Sequence, residues 1–215
     1  MKSIISKNYL LFTSIISLIF IVNIKCSKTQ DVVPIDPIDS TIYYGFVLNE
    51  VLYDPSNNDL NGDANGDGVY VQNDDEFVEF VNSSETSLDI SGYKLFDATR
   101  LATNTHNHEF PANTILSPGQ AVVVFGGGTP TGSFGGSLFF TSSDQVLNLN
   151  NSGDVLTVKN NNDSTIFIFD VTPYSDNPNQ SFTRFPDLHG EYVQHNSSNT
   201  GTLFSPGTKA DGSSF

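Results

Sequence analysis

The 215-residue chain carries 24 Asp and Glu against 9 Lys and Arg, a net charge of -15, with one Cys and no Trp. Acidity of this order excludes, as default partners, nucleic-acid phosphates, which demand surplus Lys and Arg to replace condensed counterions, and anionic lipid surfaces. The chain is no disordered acidic polymer, since 37% hydrophobic and 12% aromatic residues can fill a core, and its single Cys excludes an intrachain disulfide.

Lys2 and Lys7 precede Leu10–Ile24 (LLFTSIISLIFIVNI), an apolar run interrupted only by Thr13, Ser14, Ser17 and Asn23. This charged start and short apolar stretch is the pattern of a secretory signal and falls short of a membrane span of ~20 apolar residues. Cys26 follows directly, at the place where a bacterial lipoprotein signal carries the Cys that becomes the lipidated N-terminus. Asn23, Ile24 and Lys25 stand where small residues usually precede that Cys, so an uncleaved anchor and a plain signal remain as alternatives. The reading is a lipoprotein-type signal peptide over residues 1–25, with export and a lipid anchor in the bacterial cell envelope, outer membrane or cell surface. Cleavage would remove Lys2, Lys7 and Lys25 and no acid, making the exported chain three charges more negative. Residues 26–40, with Pro34 and Pro37 and no sustained apolar period, read as a flexible tether ahead of one domain over residues 41–215.

Within that domain the first predicted strand is Gly45–Tyr53 (GFVLNEVLY). An acidic connection follows. Asp54, Asp59, Asp63, Asp67, Asp74, Asp75, Glu76 and Glu79 occur there without a Lys or Arg, a density that costs repulsion unless a cation or water relieves it. Asp63–Asp74 follows the D-x-[DN]-x-[DN]-G calcium-loop pattern: Asp63, Asn65 and Asp67 offer oxygens on alternate residues, Gly68 the turn, Val69 a backbone carbonyl, and Asp74 the twelfth position. Asp74 is shorter than the Glu preferred there, so Asp75 or Glu76 is an alternative ligand, as are Asp59 and Asn61 upstream. Strands flank the loop, so the expected ion is a structural Ca2+ with no helix-opening switch. The competing reading is an Asn/Asp/Gly-rich solvated loop.

Further strands are predicted at Glu76–Asn82, Tyr93–Asp97, Ala121–Phe125, Val146–Leu149, Asp154–Lys159, Ile166–Val171 and Ser181–Phe185, with helices scarce. Phe77, Glu79 and Val81 alternate with Val78 and Phe80, leaving apolar residues on both faces and placing that strand centrally between two sheets. Glu76 and Glu79 fall on opposite faces of it and cannot act as a facing acid/base pair. The expected class is all-β. Asn49-Glu50 and the Asp89-Ile90-Ser91-Gly92 turn read as architectural polar residues.

Several blocks then occur in family order: Asn49-Glu50-Val51, Asp75–Asn82 (DEFVEFVN), Leu88–Leu95 (LDISGYKL), Phe110-Pro111-Ala112, Leu116–Gln120 (LSPGQ), Leu149–Asp154 (LNNSGD) and Gln180–Arg184 (QSFTR). Together they resemble the lamin tail domain in its bacterial secreted form, over roughly Val47 to Gly207. The resemblance implies an immunoglobulin-like β-sandwich with structural or interaction duties, no catalytic residues of its own, and frequent use beside secreted nucleases or other hydrolases. Tyr93 stands where many relatives carry Trp.

Other motifs carry less chemistry. His106-Asn107-His108-Glu109 could place two imidazoles on one side of a strand, but lacks a third spaced ligand and reads as a strand edge. Gly126–Gly136 lacks the Lys-Ser/Thr of a phosphate loop and reads as a mobile connection. No G-x-S-x-G nucleophile motif occurs. Three functions follow: a lipid-anchored, non-catalytic interaction or structural module binding a protein, glycan or extracellular polymer; a calcium-dependent carbohydrate-binding or adhesion module, for which Phe134, Phe139, Phe140, Tyr43 and Tyr44 are candidate stacking rings; or a metal-dependent hydrolase using the acidic loop.

Overall fold

A computed structural model describes residues 42–215 apart from Asn177 and Asn199. The signal, Cys26 and the tether lie outside the described residues. In chain order the strands are β1 Ile42–Tyr43, β2 Phe46–Leu52, β3 Phe77–Asn82, β4 Leu88–Asp89, β5 Lys94–Phe96, β6 His108–Glu109, β7 Ile115–Leu116, β8 Ala121–Phe125, β9 Leu138–Thr141, β10 Val155–Lys159, β11 Thr165–Asp170, β12 Phe182–Phe185 and β13 Glu191–Gln194. Among the described residues two short α-helices and four 3-10 turns join them; the α-helices are α1 Gln72–Asp75 and α2 Ala98–Thr103, the latter capped by Asp97, whose carboxylate accepts the Arg100 N–H at 2.5 Å.

The larger sheet runs β13-β12-β2-β3-β8-β9 with β1 paired to β2, the smaller runs β11-β10-β5-β6, and β4 pairs with β7 alone. Alternation along β2 and β3 sends Phe46, Leu48, Val51, Val78 and Phe80 inward. There they meet Leu95, Leu156, Val158, Phe167 and Phe169 of the smaller sheet in the main core. Phe46 and Phe80 stack with centroids 4.7 Å apart, and full burial of such a side chain contributes about 1.5–3 kcal/mol.

The opposite face of β2, β3 and β8 is also buried, and its cover is not a sheet. Leu52, Phe77, Val123 and Phe125 form a second cluster there with Ala64 of the acidic loop, Phe134 of the Gly-rich connection and Phe204 of the C-terminal segment. The expectation of a strand apolar on both faces therefore holds for β3, but irregular chain covers its outer side. A bulge in the β2/β3 register between Leu48 and Glu50 turns Asn49 and Glu50 toward this outer side.

Val146–Leu149 is not a strand. Its alternation does bury Leu147 and Leu149, but its backbone groups are met by side chains. Asn107 Nδ2 donates to the carbonyls of Val146 and Leu147, Ser142 Oγ donates to Val146, and the Leu149 N–H donates to Glu76. The Asp89-Ile90-Ser91-Gly92 turn forms as expected: Asp89 Oδ1 accepts from the Ser91 amide and hydroxyl, and Gly92 takes φ +73°.

Candidate functional site

Two clusters of polar side chains stand on the outer side of the larger sheet. The first is the acidic loop. Asp63 accepts the Asp67 N–H at 3.1 Å through Oδ1 and the Gly68 N–H at 2.9 Å through Oδ2. Asn65 Oδ1 also accepts from the Asp67 N–H, and Asp67 Oδ1 accepts from the Val69 N–H, each at 3.0 Å. Each residue's side-chain oxygen thus folds back on the backbone ahead of it, so Asp63, Asn65 and Asp67 wind one tight loop, with Gly66 and Gly68 both at positive φ.

Asp75 clamps that loop from behind, accepting from the amides of Asn65 and Val71 at 3.2 and 2.8 Å. Burial pushes its carboxyl up to about 6, against those amides, which lower it. Asp74 is raised by burial and by neighbouring Asp67. Val69 is exposed, as are Asp59 and Asn61 on the turn that precedes the loop. Glu76 belongs elsewhere: its Oε2 accepts the Leu149 N–H at 3.1 Å, and burial raises its pKa well above the ordinary value. The structure therefore gathers Asp63, Asn65, Asp67, Asp74 and Asp75 and turns Glu76 away from them. Among the described residues no group of three or more His, Cys, Asp or Glu side chains is arranged to hold a metal ion, so any cation here would depend on the Asn65 amide and backbone carbonyls as well.

The Gly-rich connection, read from sequence as mobile, packs directly on this loop. Thr129 N–H donates to Asp67 Oδ2, Thr131 N–H to the Asn65 carbonyl, Gly126 N–H to the Glu76 carbonyl and Gly127 N–H to the Asp74 carbonyl. A Cβ on Gly126 would sit 1.8 Å from the Asn73 carbonyl oxygen, which is why glycine is needed there.

The second cluster is the pair Glu50 and Glu79, cross-strand partners with no solvent exposure. Glu50 Oε1 accepts from Ser181 Oγ at 2.6 Å and the Ser205 N–H at 2.9 Å, and Oε2 contacts Ser205 Oγ at 2.6 Å. Glu79 accepts from Asn49 Nδ2 at 2.9 Å and the Gly207 N–H at 2.6 Å. Both carboxyls are raised by burial: for Glu50 the neighbouring His195 and the serine donors oppose this, while for Glu79 the charge of Glu50 reinforces it. Ser205 Oγ also lies 2.9 Å from His195 Nε2. That Ser-His contact is unsuited to nucleophilic attack, because an alkoxide on Ser205 would form against the Glu50 carboxylate.

Ser181, His195, Ser205 and Gly207 were not candidates in the sequence. The signal for them was indirect, two glutamates on largely apolar strands, whose burial demands donors from elsewhere. His106 and Glu109 stay half exposed, while His108 is buried between Phe110 and Phe140, so the His-x-His motif does not present two rings to one ligand.

A family model described as Lamin Tail Domain matches residues 45–176. The chain belongs to the Lamin Tail Domain family. Its two packed sheets are the immunoglobulin-like β-sandwich of that family, whose members are non-enzymatic domains. The lamin-tail match takes in the acidic loop, Glu50 and Glu79, and stops short of Ser181, His195, Ser205 and Gly207, so the Gln180–Arg184 block of the sequence resemblance lies beyond it. No curated protein matches the chain.

Proposed function

We propose that this lamin-tail chain is a non-catalytic structural or interaction module, exported, held in the bacterial cell envelope by a lipid on Cys26, and displayed on the tether of residues 26–40 to bind a protein, glycan or extracellular polymer. One observation carries the non-catalytic part. The carboxyls that could serve chemistry, Glu50, Glu76 and Glu79, are buried and spent on holding the backbone amides of Ser205, Leu149 and Gly207. Groups committed in this way build a scaffold. Palmitate labelling of cells expressing wild type or Cys26→Ala tests the anchor: label on the wild type alone supports it, and equal labelling refutes it.

Asp63, Asn65, Asp67, the Val69 carbonyl and Asp74 would hold a structural calcium ion. The arrangement fits a hard cation in one respect: each carboxylate oxygen of Asp63 accepts one N–H and keeps a second lone pair. A calcium-dependent carbohydrate or adhesion module is the second reading, favoured by the half-buried Tyr70 ring and the exposed Val69, Val71 and Leu60 beside that loop. A glycan array probed with and without calcium separates it from the first. Use of the loop by a metal-dependent hydrolase would require turnover of a nuclease or glycosidase substrate that a chelator abolishes.

A further inference from the structure

Glu50 Oε2, Ser205 Oγ and His195 Nε2 form a line with spacings of 2.6 and 2.9 Å. At its far end His195 Nδ1 lies 3.0 Å from the Thr202 carbonyl and 3.3 Å from Thr202 Oγ1; the carbonyl, the nearer of the two, can only accept, so Nδ1 carries the hydrogen and the hydroxyl is left as a second acceptor. The line contains two hydrogen bonds and therefore needs two hydrogens among its three atoms. The serine hydroxyl supplies one. The other sits on His195, with Ser205 donating to Glu50, or on Glu50, with Ser205 donating to His195. Both arrangements are net neutral and both keep every contact.

We infer that Glu50, Ser205 and His195 form a buried relay storing one exchangeable proton, and that this proton latches the C-terminal segment 202–207 onto the outer face of the sheet. Around the relay, Glu79 faces Glu50 from β3, and Asp187, in the loop after β12, lies close enough to Glu79 to raise its pKa. Arg184 of β12 directs Nε to the Leu48 carbonyl and Nη1 to that of Gly190. Loss of the proton leaves one of the two bonds without a hydrogen and places two uncompensated carboxylates side by side. A cavity of about 160 Å³ lined by Thr202, Ser205, Thr208 and Asp211 opens beside Ser205 and gives water a route to the relay.

Burial holds the Glu50 carboxyl above its ordinary value, and above about pH 6.5, where the unfolded chain has released the protons of both Glu50 and His195, the folded chain still holds the relay's one. The latch is accordingly closed at low pH and weakens as pH rises through the folded pKa. The test is hydrogen exchange at the Ser205 and Gly207 amides of the full chain between about pH 5 and pH 9, corrected for intrinsic exchange. Protection in the wild type is expected to fall about tenfold across the range, the equivalent of one lost hydrogen bond. Glu50→Gln, whose amide permanently donates to Ser205 Oγ, should stay protected at the alkaline end. Ser205→Ala keeps its amide bond to Glu50 but cuts Glu50 off from His195, and should show weaker protection whose pH midpoint is displaced from that of the wild type. Constant protection in the wild type overturns the relay, and so does an unaltered pH dependence in either variant.

Discussion

Glu50 and Glu79 face each other across β2 and β3 with no exposure to solvent, and each holds a backbone amide of the C-terminal segment, that of Ser205 and that of Gly207. Like charges opposite one another ordinarily destabilise a sheet. Here the pair supplies the acceptors by which irregular chain is fastened to a largely apolar surface.

Replacing Glu79 by Gln should therefore be costly although it removes an ionisable group from the interior. Both of its oxygens face N–H donors, Asn49 Nδ2 and Gly207 N, and an amide offers one acceptor and one donor. A loss of about 1–3 kcal/mol in urea unfolding is expected for the donor left unpaired. An unchanged midpoint would show that Gly207 is held by other means.

His108 predicts a pH dependence of opposite direction to the relay. Burial, assisted by nearby His106, pulls its pKa down to about 4 from 6.5, so the unfolded state takes up a proton that the folded state refuses. The stabilisation is fully present above 6.5 and is lost as pH falls toward 4. His108→Phe should flatten stability over that window. It would also remove a buried Nε2 that has no hydrogen-bond partner. Urea midpoints near pH 7 and pH 5 for both proteins check this.

Calcium added to the wild type should raise its melting temperature and give heat in isothermal titration, while the double variant Asp63→Ala, Asp67→Ala should give neither. At a hundredfold excess over the dissociation constant the gain is about 2.7 kcal/mol. Equal heats from the two proteins would remove the metal from the account.

Gly126→Ala should separate the Gly-rich connection from α1. Its Cβ would meet the Asn73 carbonyl at 1.8 Å and endanger the Gly126 N–H bond to the Glu76 carbonyl, of 2.7 Å. A cost of about 1–3 kcal/mol is expected for overpacking of this kind, read as a lower melting temperature.

The central strands were legible because β-branched and aromatic runs sit between turn residues: Ala121–Phe125 forms with the expected ends, and Phe77–Asn82 begins one residue late. Leu88–Asp89 and Ile115–Leu116 were not, since a two-residue ladder is too short for an alternation to show. Val146–Leu149 has the strand pattern and misled, because Asn107 and Glu76 take its backbone groups before any strand can. At the candidate site the winding of Asp63, Asn65 and Asp67 was written in their spacing. The orientation of Glu76 was not, and neither was the C-terminal cover, whose partners lie far away in sequence and follow no period.

Closure of the outer face joins residues 155 positions apart at Glu50–Ser205 and 128 apart at Glu79–Gly207. A chain that folds as it is synthesised lays down β2 and β3 long before those partners arrive. During that interval the uncovered face displays Glu50 and Glu79 as solvated, ionised side chains among Leu52, Phe77, Val123 and Phe125. Inward-pointing charges of this sort discourage a half-made sheet from adhering to another copy of itself. If the sheet forms before its C-terminal cover docks, the two glutamates guard an unfinished surface before they fasten it.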